Sequence, residues 1–154
     1  MPYTILGPTY FFDNALGGGG ADQIRSGVLE LPLPGDRPLQ QLARPDLGAF
    51  AAQVLLQPGP CVGQRIELAS AATTPAQMAA ALSAALGRQV RHERVPLETI
   101  SNPDMHAMWT SLKGPGYRVG ITALHAANPE VARTRFADWA RHTFGRPGDD
   151  PNGP

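Results

Sequence analysis

The 154-residue chain balances 13 Lys and Arg against 13 Asp and Glu, with 42% hydrophobic residues. A net charge of zero leaves no field to gather nucleic acid or anionic lipid, and this hydrophobic content is enough to close the core of one domain of ordinary size. Apolar runs are broken by Gly, Pro or charge well short of the roughly 20 residues that cross a bilayer, and no secretory leader pattern opens the chain, so a cytoplasmic location is expected.

In chain order, Tyr3-Thr4-Ile5-Leu6 predicts a buried strand that ends at Gly7-Pro8. Parallel strands of this type need neighbours and helices on both faces, so a fold opening on one is expected to have lost preceding elements. Phe11 to Leu16 predicts a helical turn, stopped by the Gly17 to Gly20 tetrad, and Asp22 to Ser26 a short helix. Val28 to Leu31 and Leu39 to Leu42 read as two strands joined by a Pro-Gly-Asp-Arg-Pro turn. Asp46 is read as the cap of an amphipathic helix whose apolar face carries Leu47, Phe50, Ala51, Val54 and Leu55.

Gln64 to Ala69 alternates as a strand. Thr74-Pro75-Ala76-Gln77 then supplies a cap, a proline at the first helical position and a capping-box glutamine, and Gly87 is the stop for that helix. Val90 to Val95 predicts a further strand, and Met105, Met108, Trp109 and Leu112 mark a helix ending near Gly114. Asn128-Pro129 is read as the cap of a last helix with Ala132, Phe136, Trp139 and Ala140 on its apolar face. Residues 146–154, rich in Pro and Gly, are expected to form a disordered tail after a region spanning 1–145.

The series Tyr3-Thr4-Ile5-Leu6-Gly7-Pro8-Thr9-Tyr10-Phe11-Phe12-Asp13-Asn14, Arg44-Pro45-Asp46-Leu47-Gly48 and Leu86-Gly87-Arg88-Gln89-Val90 resembles the second half of the NmrA-like family. That family consists of atypical members of the short-chain dehydrogenase/reductase superfamily. The resemblance implies an α/β fold, the C-terminal portion of a Rossmann-type doubly wound sheet with a small substrate-binding subdomain. It also implies that the N-terminal dinucleotide-binding βαβ units are lacking.

Such a parent resembles NAD(P)H-dependent oxidoreductases acting on small carbonyl or quinone-like substrates, and this chain alone is expected to be inactive. A non-catalytic NAD(P)-sensing protein is the alternative, and a module complementing a separate N-terminal half is a third. NAD(P) is the parent's cofactor, with no tight binding expected of this chain.

The motifs for cofactor chemistry are not in this sequence. Gly17 to Gly20 lacks the spacing of a dinucleotide turn, and Asp22 follows where a phosphate would sit. A phenol acidified by a lysine four residues on is the relay of classical members of the superfamily, whereas Tyr3, Tyr10 and Tyr117 are followed at that spacing by Gly7, Asn14 and Ile121. No catalytic residue is therefore assigned. Gly7 also departs from the family, which usually has arginine before this proline.

The first loop lies where open α/β sheets bind ligands, and in the resembled family it runs past the nicotinamide. Pro8, Thr9, Tyr10 and Phe11 are the candidate cofactor contacts; Phe12, Asn14, Met105, Met108 and Trp109 are the candidate substrate contacts. Two roles stay open for Phe11, Phe12 and the Met-Trp stripe, because aromatic and methionine side chains at these spacings serve a core equally well. Asn14 is open to a turn role.

His92, His106, His125 and His142 show no metal-ligand spacing, and Cys61 is expected to be a passive loop thiol. The expected partners are a small-molecule substrate and, through an exposed strand edge at Tyr3 to Leu6, an N-terminal half or a second copy. Nucleic acid and membrane are not expected.

Overall fold

A computed structural model describes residues 1–145. The predicted disordered tail lies outside them. Seven strands run β1 (Ile5–Pro8), β2 (Tyr10–Phe11), β3 (Val28–Leu31), β4 (Leu39–Leu42), β5 (Arg65–Leu68), β6 (Ala71–Thr73) and β7 (Arg91–Arg94). Six helices accompany them: α1 (Gly20–Ser26), α2 (Arg44–Leu56), α3 (Pro75–Leu86), α4 (Pro103–Lys113), α5 (Ile121–Ala127) and α6 (Phe136–Phe144).

The strands pair in four short ladders that make three small sheets. β1 runs parallel to β5 and β3 parallel to β7; β4 lies between parallel β2 and antiparallel β6. The β3 and β4 strands are therefore not partners, although only the seven residues 32–38 separate them in sequence. Each short strand buries more by joining a helix-covered parallel ladder than it would in an isolated hairpin. Among the described residues, β1 is paired along one edge only.

The chain opening differs from the sequence expectation. Tyr3 is 59% exposed and contributes only a carbonyl, which accepts from Gly63 N at 2.7 Å, while the ladder itself starts at Ile5. Leu6 and Ile66, a matched pair in the β1–β5 register, turn to the smaller core with Leu42, Phe50 and Leu68. The larger core gathers Tyr10, Phe12, Leu29, Leu31 and Leu39 beneath α3, α4 and α6.

Local rules explain α3 fully. Thr74 Oγ1 accepts from Gln77 N at 3.2 Å, Gln77 Oε1 accepts from Thr74 N at 2.9 Å, and Gly87 ends the helix in the left-handed region. They fail for α2. Ala43 stands at its cap position and Asp46 is drawn inside the protein, with 2% of its surface exposed.

Asp46 Oδ2 accepts from Ser70 Oγ at 2.5 Å and from Thr134 N at 3.0 Å, and its Oδ1 accepts from Thr134 Oγ1 at 2.6 Å. Leu55, counted with the apolar face, is 81% exposed because the last turn of α2 projects beyond the smaller core. Asn128 likewise belongs to another helix than expected. Its Nδ2 donates to Leu124 O at 2.7 Å at the end of α5, and α6 starts only at Phe136, leaving Ala132 outside it.

Losing the Asp46 acceptors strands buried donors, which costs roughly 1–3 kcal/mol per unsatisfied group. Asp46→Ala is expected to lower unfolding stability by about 3 kcal/mol and Ser70→Ala by about 1–2 kcal/mol, measured by urea denaturation. The double variant should lose less than the sum, because the two residues share one network.

Candidate functional site

The carboxyl ends of the strands are held in place by side chains that span distant segments. Ser70, which donates to Asp46, accepts from Ala43 N at 3.0 Å, and its own N donates to Gln41 O at 2.7 Å, so the ends of β4 and β5 are tied together. Thr9 N donates to Leu68 O at 3.0 Å, bringing the first loop onto the same rim. Gln40 clamps the segment before α5, donating to Val119 O and accepting from Val119 N, both at 2.8 Å.

Beyond Tyr10 lies a pocket of about 420 Å3. The 3₁₀ turn Phe12–Gly19 and α1 form one wall, β3 the second, and the chain from Val95 into α4 the third. Tyr10 and Trp109 meet at its base with ring centroids 5.2 Å apart and planes tilted by 55°. Asn14 and Met105 reach the wall from opposite sides, and the Gly17 to Gly20 tetrad borders the opening. Gly18 and Gly19 take positive φ of 60° and 87°, values that L side chains rarely adopt, which lets the chain break between the turn and α1.

The predicted site residues thus part company. Tyr10, Asn14, Met105 and Trp109 line one pocket. Phe12 does not; it is fully buried and packs edge-on against Phe136 at 5.3 Å and against Trp139 at 5.8 Å. Met108 is half-buried against the larger core, and Phe11 turns to the smaller one. Pro8 is exposed at the end of β1.

Thr9 is 2% exposed, and its hydroxyl has no hydrogen-bond partner among the described residues. Gln41 Oε1 is in the same condition on neighbouring β4. Buried polar atoms of this kind ordinarily have partners, so both are open valences at the strand ends. Nothing in the linear pattern marks Gln41, since an alternating strand gives no hint that its buried position holds an amide.

Burial pushes the Tyr10 phenol up to about 12, and the neighbouring Tyr117 phenolate would push it further the same way. Tyr117 is raised too, first by its own burial and then by the negative charge of Glu67. Tyr10 is therefore a neutral hydrogen-bond donor at physiological pH and no base. A Cβ at Gly7 would lie 2.5 Å from a Glu67 carboxylate oxygen, the far end of an exposed side chain on paired β5 that is free to turn aside.

Among the described residues no group of three metal-ligating side chains occurs, and no helix is long and apolar enough to cross a membrane. His125 contacts the Ala69 carbonyl through Nε2 at 3.0 Å and packs edge-on against Phe50 at 5.7 Å.

A family model described as NmrA-like matches residues 3–112. The chain belongs to the NmrA-like family. No curated protein sequence matches it significantly. Among solved structures it is similar to an NADPH-dependent quinone oxidoreductase from Escherichia coli (TM-score 0.72, 26% identity, covering 94% of this chain and 56% of the other). It is also similar to the triphenylmethane reductase of a Citrobacter species (TM-score 0.73, 20% identity, 93% and 53% covered).

A third is NmrA, a negative transcriptional regulator solved in complex with NAD (TM-score 0.67, 20% identity, 94% and 53% covered). The chain spans about half the length of these structures. The α/β fold is that of a Rossmann-type NmrA-like protein, present here as a partial domain.

The raised Tyr10 phenol has a consequence for stability. With an unfolded value near 10 and a folded value near 12, its neutral form contributes fully below pH 10, and the contribution is lost as pH rises through the folded value. Unfolding stability should fall by roughly 2–3 kcal/mol between those limits. Tyr10→Phe should flatten that part of the curve, as measured by denaturation at stepped alkaline pH beside the unaltered protein.

Proposed function

We propose that this chain is the substrate-binding half of an NAD(P)H-dependent oxidoreductase acting on small carbonyl or quinone-like molecules. The observation that carries this is the convergence of Tyr10, Asn14, Met105 and Trp109 on one pocket. A flat ligand would lie against Trp109 with Met105 adapting over it, and Asn14 and Tyr10 would donate to its carbonyl oxygen.

The residues present fit only one end of a dinucleotide. Thr9 Oγ1 offers a valence suited to a carboxamide, and Pro8, Tyr10 and Phe11 flank it. No glycine-rich phosphate turn occurs in the sequence. The cofactor, when bound, supplies hydride; this chain's residues orient the acceptor, donate to its oxygen and keep water from the inner wall.

A second reading, a non-catalytic NAD(P) sensor, draws support from the Tyr10 phenol, which burial keeps protonated. A third concerns partners. The edge of β1 that is unpaired among the described residues begins beside exposed Tyr3 and Ile5, an arrangement open to strand addition by an N-terminal half or a second copy. Under that reading the wild type forms a species larger than the monomer, alone or with the added half, in light scattering. Ile5→Lys should abolish the larger species without changing the thermal midpoint by more than a few degrees. A monomeric wild type in both settings refutes it.

The enzymatic reading is tested by calorimetric titration of the isolated chain with menadione. Micromolar binding is expected, and Asn14→Leu should weaken it about fivefold, the loss of roughly one hydrogen bond. Tight NADPH binding with turnover by the isolated chain would overturn the half-site assignment.

A further inference from the structure

The pocket carries an electrostatic preference that neither the fold nor the relatives assign. Of its lining residues only Glu30 bears a formal charge, and no Lys, Arg or His is among them. Glu30 accepts from Gln23 Nε2 at 3.0 Å, and both side chains line the pocket, which holds the carboxylate at its rim.

Two helices begin at the same opening, and a helix start ordinarily attracts anions. The chain itself caps the start of α4 and places an acid in the first turn of each helix. Asn102 Oδ1 accepts from Asp104 N at 3.0 Å and from Met105 N at 3.1 Å at the start of α4, and Asp104 adds a negative charge in that first turn. Asp22 does the same in the first turn of α1. Its ion pair with Arg25, 3.2 Å long between two exposed side chains, is a weak screen.

We infer that the pocket selects flat aromatic ligands by charge, taking cationic ones best, neutral ones next, and excluding those that bear phosphate or carboxylate. This rests on the pocket being the substrate site proposed above and adds the class of substrate. An anion entering would meet Glu30, with no cation on the lining among the described residues to pair with it. A flat cation would gain both the Glu30 carboxylate and the π-face of Trp109. Nucleotide-linked substrates, whose phosphates demand Arg or helix N–H groups, are ruled out by the same count.

The test uses one ring system in three charge states: 10-methylacridinium, acridine and acridine-9-carboxylate, titrated into the full chain by calorimetry at low salt. The cation is expected to bind about threefold to tenfold tighter than neutral acridine, the range of one partly exposed charge contact plus a ring contact. The carboxylate is expected to show no saturable binding. Glu30→Gln should bring cation and neutral affinities together, and Glu30→Lys should invert their order; Glu30 is exposed, so neither change threatens the fold.

Asn14→Trp, which fills the pocket from its exposed wall, should weaken binding of both the cation and neutral acridine. If neutral acridine binds, responds to Asn14→Trp and shows no charge order, the selectivity is refuted while the substrate site stands. Should no probe bind, or Asn14→Trp change nothing, the substrate site itself is refuted and the selectivity with it.

Discussion

Asp46 brings a carboxyl group into the interior and meets it with donors from two segments lying 24 and 88 residues further along the chain. That one contact set joins the start of α2, the turn after β5 and the approach to α6. Ser70 passes the constraint on to Ala43 and Gln41, so the ends of β4 and β5 cannot move apart without breaking buried hydrogen bonds. Breaking them exposes no compensating water, which makes the cost large compared with any surface ion pair here. The rim on which Thr9 and Tyr10 sit inherits its position from this node.

Above the rim, successive residues of one short segment are divided between unlike surroundings. Tyr10 and Phe12 both turn to the larger core, Tyr10 also closing the pocket base and Phe12 meeting Phe136 and Trp139, while Phe11 between them turns to the smaller core. That is the two-residue alternation of an extended segment. The Phe11 and Phe12 rings consequently serve stability, and they hold Tyr10 and Asn14 in place rather than lining the pocket with them.

Where a signal is local the sequence was readable in detail. The Thr74 box, the Gly87 stop, β3 and β4 and the Met-Trp helix all follow from residues within one or two turns of each other. The half-family resemblance rested on segments from residue 3 to 95, inside the 3–112 span of the family match. What could not be read depends on distant partners. Asp46 has the composition of a cap, and only the arrival of Thr134 from the far end turns it inward. Asn128 fits either the end of one helix or the start of the next, and Pro129 after it suits both. Met108 and Trp109 are neighbours on one helix and both pack on the larger core, but a difference of 100° about its axis leaves only Trp109 on the pocket lining.

The charges of the site divide in a way that fits a shared task. A dinucleotide needs cations or free helix N–H groups at its pyrophosphate, and the pocket here offers Glu30, the capped start of α4 and an α1 start with Asp22 in its first turn. Hydride acceptors of the quinone or carbonyl class need the opposite: an apolar wall, one or two neutral donors and no competing anion. Under the proposed reading, negative residues at this opening therefore do a job beyond binding. They repel the phosphate end of a cofactor from the acceptor pocket, so only its uncharged ring can approach Tyr10 and Thr9, and the order of the two ligands along the strand ends is fixed by electrostatics as well as by shape.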